Sequence, residues 1–573
     1  MDFRIEGGNA GAAYSWELKE KDGIQYVTIH AEFEKAEMPQ KFHLVFRAPD
    51  IDSYSTLSPS IRSDRGLYPD WRPQRTEGRI NQFMPVHQII SLDGRNRMCI
   101  AVSDAVNPTE ITSGVCEFDS CFVYKVFFFT QPTCPVKEYT AVVRLDTRDV
   151  PYETSAKQAA DWWRNENGYV PAHVPDAAFD IVDSTWYSFH RYMDADSLVK
   201  ECEMSSKIGM KTLIIDDGWQ MVCDADGYSY CGDWQVAPNK MGDMRVLIDR
   251  LHAVGMKVML WFGVPFIGKD AKRFDEFKDM LLNPEGNTNV YHMDPRYKKV
   301  RDYLTEHFVN AVREWNLDGL KLDFINNFKF TPASEQIRPG MDCESLVEAV
   351  DILMRGVYDA LVAVRPEILL EFRQSYIGPA LCKYGNMLRV ADSPNDAIRN
   401  RADIINIRLY CGNTAVHSDM LMWHPEDSVE SAAIQLADIL FAVPQISVRV
   451  DRLPEKQYEM LKYYLAFWQK HRDVLVKGDL TAKAPECRYT QACSALSDMS
   501  VIACYADCLV DVKTEKAVIV NASNQKEVIV RNCAGRKYLV RDCMGNCLFE
   551  GAFESDLAAA SVPMGGMLFI ECE

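Results

Sequence analysis

From residue 1 to about 150, apolar and polar positions alternate with a period of two, as in YSWELKEKDGIQYVTIHAEF and NQFMPVHQIISLDGRNRMCIAVSD. Each of these stretches is interrupted by an Asp-Gly pair. A strand turns successive side chains to opposite faces, and Asp-Gly suits the tight turn between paired strands, so an N-terminal antiparallel β-sandwich is predicted over 1–150. The stretch ETSAKQAADWWRNENG (153–168) changes to helical spacing and closes on glycine, which predicts a helical connector within 151–177. From 178 to 477, short apolar runs alternate with amphipathic stretches. The runs are FDIVDSTW (179–186), KTLIIDD (211–217), KVMLWFGVPF (257–266), GLKLDF (319–324), EILLEFRQ (367–374), NMLRVADS (386–393), TAVHSDMLMW (414–423) and QISVRVDR (445–452). Eight strands with helical crossovers over roughly 300 residues predict a central (β/α)8 TIM barrel, its weakest helix between the fifth and sixth strands. A doubly wound open sheet would carry a Gly-rich phosphate turn after its first strand, and this sequence has none. From 478 to 573 short strands and turns return, which predicts a smaller C-terminal β-sandwich and a multidomain α/β chain.

Composition narrows the function classes. A chain of 573 residues with 47% hydrophobic and 25% charged residues is that of a soluble globular protein of two or three domains. Its net charge of −19 weighs against nucleic acid and anionic membranes, both of which select clustered Lys and Arg. A neutral substrate fits better. No apolar run approaches the roughly 18 to 20 residues of a membrane span, and MDFRIEGGNA lacks the basic-then-apolar pattern of a signal peptide. The 18 cysteines are scattered, eight of them after residue 486, with no C-x-x-C pair and no Cys/His set at zinc spacing. They read as small buried apolar residues in a reducing compartment, and the expected location is cytoplasmic. A signal peptide already removed would leave the same text, with C-terminal disulfides as its sign. Oligomeric state is not legible, and a homo-oligomer is compatible with the sequence.

The strand ends carry the chemistry. In GLKLDF, Lys321 and Asp323 point one way while Leu320, Leu322 and Phe324 pack behind them, and charges at the carboxyl end of a barrel strand mark an active site. The other runs deliver Trp186, Asp216, Asp217, Trp261, Arg373, Arg389, Asp392, His417 and Asp419 to the same rim. Carboxylates, aromatic platforms and basic hydroxyl-binding groups, without a phosphate loop, form a carbohydrate site. Glycoside hydrolysis needs one ionised carboxylate and one protonated carboxyl flanking the bond. Lys321 would hold Asp323 ionised, which suits a nucleophile, and Asp392 is then the acid, although Arg389 works against its protonation. The lesser alternatives are a structural ion pair for Asp323 and a helix N-cap before PNDAIRNR for Asp392. The adjacent acids of IIDDGWQ (214–220) could ligate a cation, cap the next segment or grip sugar hydroxyls, and further ligands at useful spacing are lacking. Trp219, Trp234 and Trp261 suit a core as well as a sugar platform.

The succession IIDDGWQ, GDWQVAPNKMGDMRVLIDRLHAVGMKVMLWF, HMDPRYKKVRDYLTEHF, DGLKLDF and ADSPNDAIRNR resembles glycoside hydrolase family 36, the microbial α-galactosidases of the melibiase clan, over most of 180–400. The resemblance implies a β-sandwich, a (β/α)8 barrel and a second β-sandwich. It implies Asp323 as nucleophile and Asp392 as acid/base, with Asp216, Asp217, Trp261 and Lys321 touching the sugar. Trp71 in LYPDWRPQR is the candidate for an aromatic lent by the N-terminal domain. Arg373, Arg389 and Trp186 complete the substrate-binding set. Two departures bear on specificity. Leu322 stands where the family has Trp between Lys and Asp, and RQSYIGP (373–379) replaces a Cys-Ser-Gly-Gly-Gly stretch, so that Arg373 occupies a small residue's place. Arg373 either meets a substituent of the sugar or pairs with Glu371 or another acid.

The expected function is a retaining exo-α-glycosidase, an α-galactosidase, that uses neither cofactor nor metal and acts on a small-molecule or oligosaccharide substrate. The alternatives are an α-N-acetylgalactosaminidase, another hydrolase or transglycosylase of substituted α-galactosides, or a non-catalytic carbohydrate-binding protein.

Overall fold

The computed structural model describes residues 1–59, 65–220, 227–285 and 289–572. Two six-stranded antiparallel sheets form the N-terminal part. One begins with Arg4–Gly7 and Phe42–Pro49, the other with Ala13–Lys21 and Ile24–Glu37. Their inner faces bury Val27, Ile29, Phe42, Leu44, Ile100, Val126 and Val143. The period-two reading holds to the residue in Cys121–Phe128, where half-buried and buried positions alternate without a break. The Asp22-Gly23 turn places both residues at positive φ, 55° and 74°, and joins strands paired Lys21 to Ile24, the backbone of a two-residue hairpin.

The connector is the helix Tyr152–Glu166. Its Trp163 indole donates to Val102 O at 2.8 Å, and Glu153 accepts from the backbone N–H of Ala482, so one helix is bonded to both flanking β regions.

Eight parallel strands form the centre. They are β1 (Val182–Ser184), β2 (Thr212–Ile215), β3 (Lys257–Gly263), β4 (Gly319–Asp323), β5 (Leu369–Arg373), β6 (Met387–Arg389), β7 (Ala415–His417) and β8 (Gln445–Ile446). Their order is β7-β6-β5-β4-β3-β2-β1-β8, and the parallel bridges His417 to Val443 and Leu421 to Ile446 bring the two ends together. All of β4 and nearly all of β3 is buried, because side chains fill the barrel inside and helices cover it outside. Five crossover helices start on a side-chain cap: Asp194, Asp243, Ser345, Asp396 and Ser428 each accept from a backbone N–H three residues on. Between β5 and β6 the described chain forms only a 3-10 turn, Leu381–Lys383, since Gly378-Pro379 leaves no helical run. β7 and β8 are shorter than their apolar runs. After His417 the chain keeps only the isolated bridge at Leu421, and after Ile446 it bends toward the 3-10 turn Val450–Arg452.

The C-terminal strands form a seven-stranded and a three-stranded sheet around Ile502, Val510, Ile519, Val528 and Leu568. Cys99, Cys202, Cys231, Cys382 and Cys411 are buried, and the described cysteines are free thiols. Among the described residues no helix is long and apolar enough to cross a membrane.

The N-terminal sandwich seats on the loops that follow β4 and β5. Asn81 Nδ2 donates to Ile325 O and Phe328 O, Phe83 N donates to Ser375 O at 2.6 Å, and Gln374 Nε2 donates to Pro59 O at 2.9 Å. Gly378 is obligatory there, because a Cβ would stand 2.4 Å from Phe83 O.

Candidate active site

Asp323 closes β4, and the chain turns immediately after it. Phe324 takes a left-handed conformation at φ 62°, costly for an aromatic residue, and its own N–H donates to Asp323 Oδ1 at 2.7 Å. Neighbouring strands and the loop after β5 supply the other donors. Trp261 of β3 donates Nε1 to Oδ2 at 3.0 Å, Arg373 of β5 donates Nε to Oδ1 at 2.6 Å, and the Tyr376 hydroxyl donates to Oδ1 at 3.0 Å. Asp323 is 6% exposed. Burial pushes its carboxyl up, but Arg373 and Lys321, with the Trp261 bond, outweigh that and hold it well below the ordinary carboxylate range. An ionised carboxylate so placed is a nucleophile rather than an acid.

One register step below, Lys321 donates Nζ to Asp216 Oδ2 at 2.5 Å. The adjacent Asp217 turns to a different cation: Arg191, on the loop after β1, donates Nε to its Oδ2 at 2.6 Å, and Gln220 Nε2 donates to Oδ1 at 2.5 Å. Burial pushes Asp217 up and Arg191 opposes it. Both acids of IIDDGWQ are thus buried and paired with cations. The tryptophans divide. Trp219 and Trp234 stack at 6.3 Å in a buried aromatic cluster, and Trp219 donates Nε1 to Trp261 O at 2.9 Å, so they pack behind Trp261. Trp186 lies just past β1, half-buried and stacked on His190 at 4.2 Å.

Arg389 of β6 is buried among acids. It pairs with Asp392 at 2.8 Å and approaches Glu371 at 3.7 Å, and it donates to Asp419, which accepts also from Ser393 N at 2.6 Å and the Tyr187 hydroxyl at 3.1 Å. Asp392 lies three residues past Arg389 with its side chain 52% exposed, the one acid of the group open to solvent. Burial raises its carboxyl, while Arg389, Arg373 and Lys321 lower it and prevail. It does not cap the following helix. Asp396 does, accepting from Arg399 N at 3.0 Å. Register carries the two acids toward each other, since Arg373, bonded to Asp323, pairs directly with Arg389, bonded to Asp392.

Asp216, Asp217, Trp261, Lys321, Asp323, Arg373, Arg389 and Asp392 therefore lie side by side at neighbouring strand ends, in three bonded groups: Trp261 and Arg373 on Asp323, Lys321 on the Asp216-Asp217 pair, and Arg389 on Asp392. Arg373 pairs with an acid, as one expectation allowed, but the acid is Asp323 and not Glu371. Trp71 is 71% exposed on the N-terminal sandwich, where its indole donates to Glu117 at 3.4 Å. Arg191, Tyr376 and Tyr187 belong to the site without having been singled out beforehand. Arg191 and Tyr376 lie in loops and Tyr187 in the one-turn helix Thr185–Ser188, none with a periodicity to mark it, although Tyr187 follows FDIVDSTW directly and Tyr376 stands within RQSYIGP. His417 is buried in the barrel, its ring nitrogens bonded to Ala178 O at 2.8 Å and to Gln445 at 3.3 Å, and burial pushes its pKa down to about 4. The HMDPRY motif is structural: Asp294 and Arg296 form a fully buried pair at 2.7 Å, and Arg296 donates to Ser334 O at 2.6 Å.

Known proteins share both sequence and fold with this chain. Alpha-galactosidase Mel36A of Lactobacillus acidophilus is 28% identical over 203 residues, 33% of this chain and 26% of that protein. The A type blood alpha-D-galactosamine galactosaminidase of Flavonifractor plautii is 24% identical over 219 residues, 35% of this chain and 19% of that protein. The alignments thus span about a quarter or less of these two relatives. Among solved structures, a variant of the GH36 alpha-galactosidase AgaA of Geobacillus stearothermophilus in complex with 1-deoxygalactonojirimycin superposes with a TM-score of 0.67 at 14% identity, over 100% of this chain and 87% of that one. That likeness carries the fold of sandwich, barrel and sandwich. With the Melibiase family model matching residues 170–478, more than half of the chain and all eight barrel strands, this protein belongs to the Melibiase family.

Proposed function

We propose that this protein is a retaining exo-acting α-galactosidase, with Asp323 as nucleophile and Asp392 as acid and then base. The observation that carries the reading is the contrast between the two carboxyls: Asp323 is buried and held ionised by Arg373, Lys321 and Trp261, whereas Asp392 is half-exposed at the mouth. In the first step Asp323 attacks the anomeric carbon while Asp392 protonates the departing oxygen. In the second, Asp392 takes a proton from water as it displaces Asp323. Lys321, Trp261 and the Asp216-Asp217 pair form a polar wall suited to sugar hydroxyls. Membership of the Melibiase family and the name of the Lactobacillus acidophilus relative support α-galactosides as substrates.

A panel of chromogenic α- and β-glycosides tests the reading. The aryl α-galactoside is expected to be hydrolysed fastest, with the α-anomer of galactose as first product by NMR. A preference for N-acetyl-α-galactosaminides would move the assignment to that sugar, and a β-anomer product would exclude retention.

The pairing of Asp216 with Lys321 and of Asp217 with Arg191 leads to a second expectation. A divalent ion at this turn would have to displace two ammonium or guanidinium partners, so EDTA should leave the rate unchanged. Loss of activity under EDTA, restored by Ca2+ or Mg2+, would overturn the assignment of these acids to the sugar.

A further inference from the structure

The two oxygens of Asp323 are not equivalent. Oδ1 accepts three hydrogen bonds, from Arg373 Nε at 2.6 Å, Phe324 N at 2.7 Å and the Tyr376 hydroxyl at 3.0 Å. Oδ2 accepts one, from Trp261 Nε1 at 3.0 Å. An ionised carboxylate offers about four lone-pair sites, two on each oxygen, so Oδ1 is saturated while Oδ2 keeps a free one. The guanidinium of Arg373 is itself fixed, stacked 5.1 Å from the Phe324 ring, with Nη1 donating to Gln374 O at 3.2 Å. It cannot swing away from Oδ1 without breaking both contacts.

We infer, resting on the glycosidase reading above, that Asp323 Oδ2 is the attacking oxygen and that Arg373, with Tyr376, is a positioning residue that accelerates the second displacement at the expense of the first. In the first step an Oδ2 lone pair forms the bond to the anomeric carbon. The electron pair of the glycosidic bond leaves with the departing oxygen, which takes the proton of Asp392. Charge thereby drains from Oδ1, which becomes the carbonyl oxygen of an ester, and its three donors lose strength as the reaction proceeds. In the second step water bonds to the anomeric carbon and gives its proton to Asp392. The electron pair of the ester C–O bond returns to the carboxylate, and charge builds again on Oδ1, where Arg373 and Tyr376 are already aimed. Donors that strengthen only as charge develops lower that barrier.

The test is pre-steady-state kinetics of Arg373→Met and of the milder Tyr376→Phe on an aryl α-galactoside with an acidic phenol. Losing one donor aimed at developing charge costs about 100- to 1000-fold in the step it serves. For Arg373→Met, kcat is therefore expected to fall by about 100-fold with KM falling nearly in parallel, so that kcat/KM changes by less than about tenfold. A phenol burst approaching one equivalent should appear, and the acid-quenched protein should carry one hexosyl unit on Asp323 by mass spectrometry. The acid limb of kcat/KM should move to higher pH, because Asp323 loses its principal cation. Tyr376→Phe should move each quantity the same way by less, and Arg373→Lys should restore part of kcat. Equal losses in kcat and kcat/KM with no burst in either variant would overturn the inference and leave Arg373 as an ordinary substrate contact or a structural pair. Absence of turnover by the unaltered protein on every aryl glycoside would instead overturn the glycosidase reading itself, and this inference with it.

Discussion

Asp323→Ala is expected to reduce turnover of every glycoside by about four or more orders of magnitude, whatever the leaving group, because the buried carboxylates beside it are already paired and Asp392, held by Arg389, is the proposed acid. Asp216 and Asp217 are committed to Lys321 and Arg191, and Asp419 to Arg389 and Ser393. Removing Asp323 also leaves the Arg373 guanidinium largely buried with only a backbone acceptor, at a cost of about 3–5 kcal/mol in stability. Asp323→Asn keeps an acceptor for Trp261 or Arg373, so its rate loss should match that of the alanine variant while more of the melting temperature is kept. Azide should partly rescue Asp323→Ala by attacking the substrate directly, with inversion, to give the β-galactosyl azide. Comparable activity in Asp323→Asn and the unaltered protein would end the case for Asp323 as nucleophile.

The Asp392→Ala variant should divide substrates instead of abolishing them. General acid assistance contributes about 10²- to 10⁴-fold, so an oligosaccharide with a poor leaving group should lose that factor in kcat/KM. An aryl galactoside that departs as a stable phenolate should lose far less. Azide here intercepts the glycosyl-enzyme and gives the α-azide, opposite to the nucleophile variant. The pH profile adds an independent reading. Burial raises Asp392, but Arg389 at 2.8 Å, Arg373 and Lys321 hold it below the ordinary carboxylate value in the free protein. The acid works only when protonated, below its pKa, so on poor leaving groups kcat/KM should already decline as pH rises through the acid range. A bound sugar covers the half-exposed carboxyl and removes water from it, which pushes its pKa up, and the alkaline limb of kcat should lie at higher pH than that of kcat/KM. Like responses of the two variants to leaving group, with one azide anomer from both, would show the roles to be misassigned.

Much of this architecture is legible without coordinates because it depends on local pattern. Strands of a closed parallel barrel are buried on both faces, so they read as continuous apolar runs, and each of the eight runs contains its strand. Alternation likewise marks the N-terminal sheets, since each buries one face. The same locality explains the errors at strand ends. An apolar run tells that residues are buried and not whether they remain hydrogen-bonded in the ladder, so TAVHSDMLMW and QISVRVDR outlast β7 and β8. Asp392 and Asp396 are both acids ahead of one helix, and only the backbone geometry decides that Asp396 caps it.

The sequence by itself determined the barrel, the strands whose ends bear charge, and the two carboxylates of the proposed chemistry, because periodicity and strand parity are properties of neighbouring residues. What only the tertiary structure decided is how those charges are shared. Lys321 was expected to be the cation that holds Asp323 ionised; it contributes to that through its charge, but its ammonium is bonded to Asp216, and Arg373 from the next strand takes Oδ1 and has the larger effect. Tyr376 and Arg191 from loops and Tyr187 from a one-turn helix reach the site without a periodic signal, and Trp71 bonds to Glu117 of its own domain while Pro59, Asn81 and Phe83 bond to the loops of the barrel. Pairing among buried charges depends on register between strands and on which loop folds over the rim. Those are distances across dozens of residues of chain, and no short stretch of sequence encodes them.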